Sequence, residues 1–110
     1  MKELCCLLRS GKWAATSREL RQAGFYAMTR HRAMGRGRQK GLHGGGDGGV
    51  RLLPKWLLLM VVEEARVPAA VEAIVRSNRT GNVGDGKIFI TSVLGTVRVS
   101  NDEFGCTALS

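Results

Sequence analysis

Apolar residues recur along this chain with two different periods. Over residues 2–9 they alternate, with Leu4, Cys6 and Leu8 on one side and Cys5 and Leu7 on the other, which predicts a strand. Ser10 stands where a helix N-cap belongs. Residues 12–23 follow with helix formers, and Trp13, Leu20 and Ala23 fall near helical spacing. Gly24 occupies the place of a left-handed C-terminal glycine. Residues 27–36 alternate again, with Met28, Arg30, Arg32 and Met34 on one side, and read as a second strand. Both periods then stop. Residues 37–53 include Gly41, Gly44, Gly45, Gly46, Gly48 and Gly49, which suit neither a helix nor a central strand. Residues 55–62 are apolar on both sides, as a buried central strand is. Pro68 fits the first turn of a second helix, where Val67, Val71, Ile74 and Val75 form a stripe that Gly81 closes. After a turn at Gly84-Asp85-Gly86, residues 87–93 read as a fourth strand and residues 96–100 as a short fifth.

This order, strand-helix-strand-strand-helix-strand, is the split βαβ pattern. It predicts an α+β fold of ferredoxin-like βαββαβ type, one domain over residues 1–110. One antiparallel sheet would carry both helices on one face. A loop as long as 37–53 inside a compact domain is usually functional. Trp56, Leu58 and Met60 share one strand face and Leu57, Leu59 and Val61 the other. A two-layer fold covers only one of these faces, so the other is expected to pack against another subunit.

Charge adds a partner class. The net charge is +8, and it is unevenly spread. Residues 1–55 hold 12 Lys and Arg against 3 acids, whereas residues 56–110 hold 5 against 6. The basic half favours an anionic partner: a nucleotide, a nucleic acid or an acidic protein surface. Nucleic acid is the weaker of these, because only Phe25 and Tyr26 lie near the basic run Arg30, Arg32, Arg36, Arg38 and Lys40, which leaves little for bases to stack on. No apolar run reaches membrane-spanning length, so no membrane insertion is expected, and residues 1–9 lack an adequate signal-peptide core. Cys5, Cys6 and Cys106 form no disulfide framework or metal spacing, and point to a reducing cytoplasm. His31 and His43 have no acid or cysteine at metal spacing. No Ser-His-Asp or Cys-His set can be assembled, so the chain does not read as an enzyme.

Two segments carry a family resemblance. Gly35-Arg36-Gly37-Arg38-Gln39-Lys40-Gly41 is similar to the base of the long T-loop of P-II nitrogen-regulatory signalling proteins. Thr80-Gly81-Asn82-Val83-Gly84-Asp85-Gly86-Lys87-Ile88-Phe89-Ile90 resembles that family's C-terminal signature, a run too specific to arise readily by chance. Gly24-Phe25, Ala27-Met28-Thr29 and the run from Leu57 to Val62 bring the chain nearest to the nitrogenase-associated subgroup. The resemblance extends over almost the whole length.

That resemblance implies an assembly and a set of ligands. The protein would be a trimer, either a homotrimer or a heterotrimer with a sister P-II protein. It would bind ATP or ADP through Thr29, Gly37, Arg38, Gln39, Val61, Gly84, Asp85, Gly86, Lys87 and Arg98. Mg²⁺ would sit on Gln39 with the ATP phosphates. The effector 2-oxoglutarate would meet Gln39, Lys40, Gly41 and Lys55. The residue types suit these roles: glycine-flanked turns bring backbone N–H groups to phosphate, an arginine fork matches it, and a glutamine oxygen suits Mg²⁺. Nitrogenase is the implied target, engaged through the T-loop at about 37–53. A general P-II regulator of an ammonium transporter or biosynthetic enzyme is the alternative. Four features depart from the family: Ser100 replaces a second phosphate-binding arginine, Leu59 replaces a frequent glutamate, the loop is slightly short, and its glycine-rich tip lacks the tyrosine that other members have modified.

Overall fold

The computed structural model describes residues 1–36, 52–82 and 84–109. Four strands and two helices follow the expected order: β1 (Lys2–Arg9), α1 (Trp13–Gln22), β2 (Thr29–Gly35), β3 (Leu53–Val62), α2 (Val67–Asn78) and β4 (Gly86–Ser92). The strands form one antiparallel sheet in the spatial order β2-β3-β1-β4. This is the ferredoxin-like sandwich.

The alternation in β1 decides which side faces the helices. Leu4, Cys6 and Leu8 are buried together with Leu58, Met60 and Val62 of β3, Leu20 of α1, and Ala70, Ala73 and Ile74 of α2. The inner face of α2 is thus centred on its alanines and Ile74, while Val67 and Val71 flank the core and Val75 is half-buried. α1 and α2 pack against each other on this face. A polar knot ties them: Asn78 Nδ2 donates to Thr16 Oγ1 at 2.9 Å and to the Ile74 carbonyl at 2.8 Å, and Thr16 Oγ1 donates to the Lys12 carbonyl.

Gly24 does end α1. Its φ is +92°, its N–H bonds the Arg21 carbonyl, and the Phe25 N–H reaches back to Leu20. That double bond is the Schellman arrangement, and buried Phe25 and Leu20 supply its apolar contact.

Several boundaries differ from expectation. Ser10 is not the N-cap: Ser10–Lys12 form a 3₁₀ turn, and α1 is entered through Lys12 with no capping side chain. The Ser10 carbonyl instead accepts from Trp56 Nε1 at 2.9 Å. β2 begins at Thr29 rather than residue 27, and β3 begins at Leu53, two residues early and inside the span expected for the loop. β4 runs one residue earlier than expected. Residues 96–100 form no fifth strand in the sheet; Val97 makes only an isolated bridge to Phe104.

Among the described residues, no helix lies on the outward sheet face. Leu59, Cys5 and Phe89 lie in one cross-strand row, and Leu57 and Leu7 lie side by side in the next. Phe89 is half exposed. The apolar second face read from β3 therefore exists, and neither helix of the described residues packs on it.

Candidate functional site

Chemistry gathers at the end of the sheet where β1 finishes, β3 begins and β4 begins. The turn before β4 is built on glycine. Gly84 and Gly86 have φ of +94° and +125°. A Cβ on Gly86 would sit 2.4 Å from the Leu7 carbonyl oxygen, so only glycine lets the turn close against β1. Asp85 pins the turn from within. One carboxylate oxygen accepts from the Thr80 N–H at 2.8 Å and the Gly81 N–H at 3.0 Å; the other accepts from the Thr80 hydroxyl and lies 3.5 Å from Arg9 Nε. These hydrogen bonds, the hydroxyl's foremost, with Arg9 behind them, hold the Asp85 carboxyl down at about 2. Lys87 follows, exposed and on the open sheet face opposite Leu7. On the helix side of this turn a cleft of about 330 Å³ has an apolar floor of Leu8, Ile74, Val75 and Ile88.

A second cleft, of about 420 Å³, opens beside the first strand's end. It is lined by Arg9, Ser10, Gly11, Lys12, Leu53, Pro54 and Lys55. Arg9 and Lys55 are direct cross-strand partners. Burial, and then the Arg9 charge, lower the Lys55 ammonium below its ordinary range. Three cations around one concavity suit a small polyanion. Beside the cleft, Trp56, whose Nε1 donates to the Ser10 carbonyl, belongs to a stack: the Arg30 guanidinium lies 4.6 Å from the Trp13 ring centre and 4.0 Å from that of Trp56, and Arg32 lies 5.1 Å from Trp56.

The sequence-derived site residues separate into three groups. Gly84, Asp85, Gly86 and Lys87 are brought together, with Lys55 at the same end of the sheet. Thr29 and Val61 lie on the open face, Thr29 opposite Leu59 and Val61 opposite Glu3 toward the far end. Arg98 is also at that far end, beyond β4, where Val93 and Thr96 bond to Met1. Arg98 Nε is 3.2 Å from Glu103, and its terminal nitrogen donates to the Thr107 carbonyl. Gly37, Arg38, Gln39, Lys40 and Gly41 lie outside the described residues, as does the loop tip. Arg9 and Lys12 escape a reading of the sequence. Nothing in the local pattern marks them, because they come to line this cleft with Lys55 only when β1 is laid beside β3. Among the described residues no three His, Cys, Asp or Glu side chains converge as a metal cluster.

The comparisons with known proteins decide the family. The profile described as "Nitrogen regulatory protein P-II" matches residues 1–103. The chain belongs to the P-II family. It is 40% identical to "Nitrogen regulatory protein P-II 2" of Methanothermobacter thermautotrophicus, covering 99% of this chain and 97% of that one. It is 35% identical to "Nitrogen fixation nifHD region glnB-like protein 2" of Methanococcus maripaludis, over 99% and 100% of the two chains. "Nitrogen regulatory protein P-II" of Azospirillum brasilense is 37% identical over 99% and 100%. This P-II chain is therefore a member of a regulatory family. No helix among its described residues is long and apolar enough to cross a membrane.

Proposed function

We propose that this P-II protein is a cytoplasmic trimer that senses ATP, ADP and 2-oxoglutarate, and controls nitrogenase by contact through its T-loop. The observation that carries this reading is the pairing of two features at one sheet end: a glycine turn pinned by Asp85 with the exposed Lys87 beside it, and the cationic cleft of Arg9, Lys12 and Lys55. The turn suits nucleotide phosphates. The cleft suits the two carboxylates of 2-oxoglutarate, with Lys55 on one of them.

The separation of the remaining residues supports a site completed between subunits. β4 is 7 residues long, which spans roughly 20 Å. Lys87 at its start and Arg98 beyond its end belong to opposite ends of one chain. One phosphate chain meets both only if Arg98 comes from a neighbouring copy, with Thr29 and Val61 brought alongside the nucleoside. The apolar face of β1, β3 and β4, on which no helix of the described residues packs, suits such a neighbour. Mg²⁺ would arrive with phosphate oxygens as its main ligands, since Mg²⁺ keeps an oxygen shell and the described residues offer no carboxylate cluster. Gln39, with Gly37, Arg38, Lys40 and Gly41, would complete the sphere and the effector pocket from the loop base.

Nitrogenase as target rests on the nifHD-region relatives and on the subgroup features of the sequence. The test is nitrogenase activity with the purified protein and ATP, with and without 2-oxoglutarate. Inhibition that 2-oxoglutarate relieves is the expected result. No inhibition, with or without a sister P-II protein, leaves the alternative of a general P-II regulator acting on a transporter or biosynthetic enzyme.

A further inference from the structure

Positive charge without counter-charge collects along the edge strand β2. Arg30 and Arg32 lie opposite Leu58 and Trp56, and Leu58 is buried under the helices, so both arginines are on the helix side of the sheet. Both are exposed, as is Arg36, which follows β2. Lys12 leads into α1 next to Trp13. Among the described residues, no carboxylate lies within ion-pair distance of any of these four cations. The acids are engaged or placed elsewhere. Glu3 is near the start of β1, and Glu63 and Glu64 follow the end of β3. Glu19 and Glu72 hold Arg76, and Glu103 holds Arg98. Asp85 is taken up by Thr80, Gly81 and Arg9. The two arginines of β2 are also pre-oriented. Arg30 lies against both Trp13 and Trp56, whose ring centres are 6.4 Å apart, and Arg32 lies against Trp56. Neither guanidinium makes a hydrogen bond with the described residues.

We infer that Arg30, Arg32 and Arg36, backed by Lys12, form a docking patch for an acidic surface of a partner protein. The inference deepens the reading of the adjoining loop as a contact element and rests on it for the choice of target. Like charges gathered without partners raise the local potential, and a carboxylate-bearing surface relieves it. A guanidinium matches a carboxylate with paired N–H donors. Stacking on an indole holds it in place, so less side-chain freedom is lost on docking. The patch is on the opposite side of the sheet from the open apolar face proposed for assembly, so the two surfaces do not compete. Nucleic acid would use the same cations, but it also wants aromatic faces on which bases stack. Trp13 and Trp56 are half-buried and already carry guanidinium groups, and Trp56 Nε1 is spent on the Ser10 carbonyl. An acidic protein surface is therefore the better fit.

The chain carries its own reporter, because its 2 tryptophans are the two rings of this stack. Octaglutamate peptide is titrated into the full-length protein at low salt and indole emission is followed, with octathymidylate as the nucleic-acid probe. Wild type is compared with Arg32→Ala/Arg36→Ala and with Arg32→Lys/Arg36→Lys, each checked by sedimentation for an unchanged oligomeric state. Both double variants keep Arg9, Lys12 and Lys55, so peptide held only in that cleft would bind them as it binds wild type. The expected result is saturable octaglutamate binding, weakened about fivefold to twentyfold in the alanine variant and largely kept in the lysine variant. Raising salt from about 20 mM to about 300 mM should abolish it. Absent binding, or equal affinity in wild type and the alanine variant, overturns the inference. Octathymidylate binding about tenfold tighter than octaglutamate through the same arginines also overturns it, in favour of nucleic acid. The alanine variant is then assayed against nitrogenase, where weaker inhibition than wild type is expected. Wild type that binds octaglutamate through these arginines but leaves nitrogenase untouched upholds the patch and overturns the choice of target.

Discussion

At the scale of single residues, the turn before β4 is organised by one carboxylate. Asp85 accepts three hydrogen bonds from Thr80 and Gly81 and faces Arg9, so it stays ionised far into acid. Its folded pKa of about 2 is below the ordinary 3.8. A depressed carboxylate stabilises fully above the ordinary value and loses that contribution as pH falls toward the folded one. The turn should therefore hold at pH 4 and loosen as pH drops from about 4 to about 2, seen as loss of the Thr80 and Gly81 amide signals in NMR. Asp85→Asn should remove that acid-linked step. Lys87 carries the phosphate reading. Lys87→Ala should weaken Mg-ATP by about one to two decades, from a charge-assisted bond worth about 1.5–3 kcal/mol, without disturbing assembly. Unchanged affinity in calorimetry would make the turn a structural feature only. The thiols divide in the same way by environment. Burial, with the neighbouring Cys5 behind it, pushes Cys6 up to about 12, whereas Cys106 is exposed. Alkylation under native conditions, followed by mass spectrometry, should label Cys106 and spare Cys6.

At the scale of elements, β4 and the stack beside β2 make the clearest demands. Gly86 sits where a side chain would strike the Leu7 backbone oxygen, and its φ of +125° excludes other residues. Gly86→Ala should cost roughly 2 kcal/mol or more in denaturant unfolding. Arg30 between Trp13 and Trp56 joins the edge strand β2 to α1 and β3. Arg30→Ala should lower stability by about 1 kcal/mol and change tryptophan fluorescence, since both indoles lose the guanidinium. Element order was legible because hydrophobic period distinguishes strands from helices, and the Gly24 and Gly86 turns were legible because glycine marks special backbone. What escaped was tertiary. Ser10 reads locally as a cap, but its carbonyl is taken by Trp56, which no local pattern reveals. The α2 stripe was legible in part: Ile74 is buried and Val67 and Val71 pack against the core, but Ala70 and Ala73, which a search for large apolar residues passes over, are buried beside Ile74.

At the scale of the whole molecule, a single chain leaves the proposed site incomplete in a specific way. Its sheet has an apolar face that no helix of the described residues covers, and Lys87 and Arg98 stand at opposite ends. The family signature made the turn legible. It did not reveal Arg9, whose neighbours Lys55 and Asp85 lie far along the chain and meet it only through sheet pairing. A trimer should sediment at micromolar concentration, and a stable monomer would contradict the shared site. The most direct measurement is a pair of calorimetric titrations of Mg-ATP into the wild-type protein, without and with saturating 2-oxoglutarate. The expected result is one nucleotide site per chain, tightened on the order of tenfold by the effector, with ADP showing no such gain. Two coincident ATP curves would contradict effector sensing, and no ATP binding at all would contradict nucleotide sensing itself.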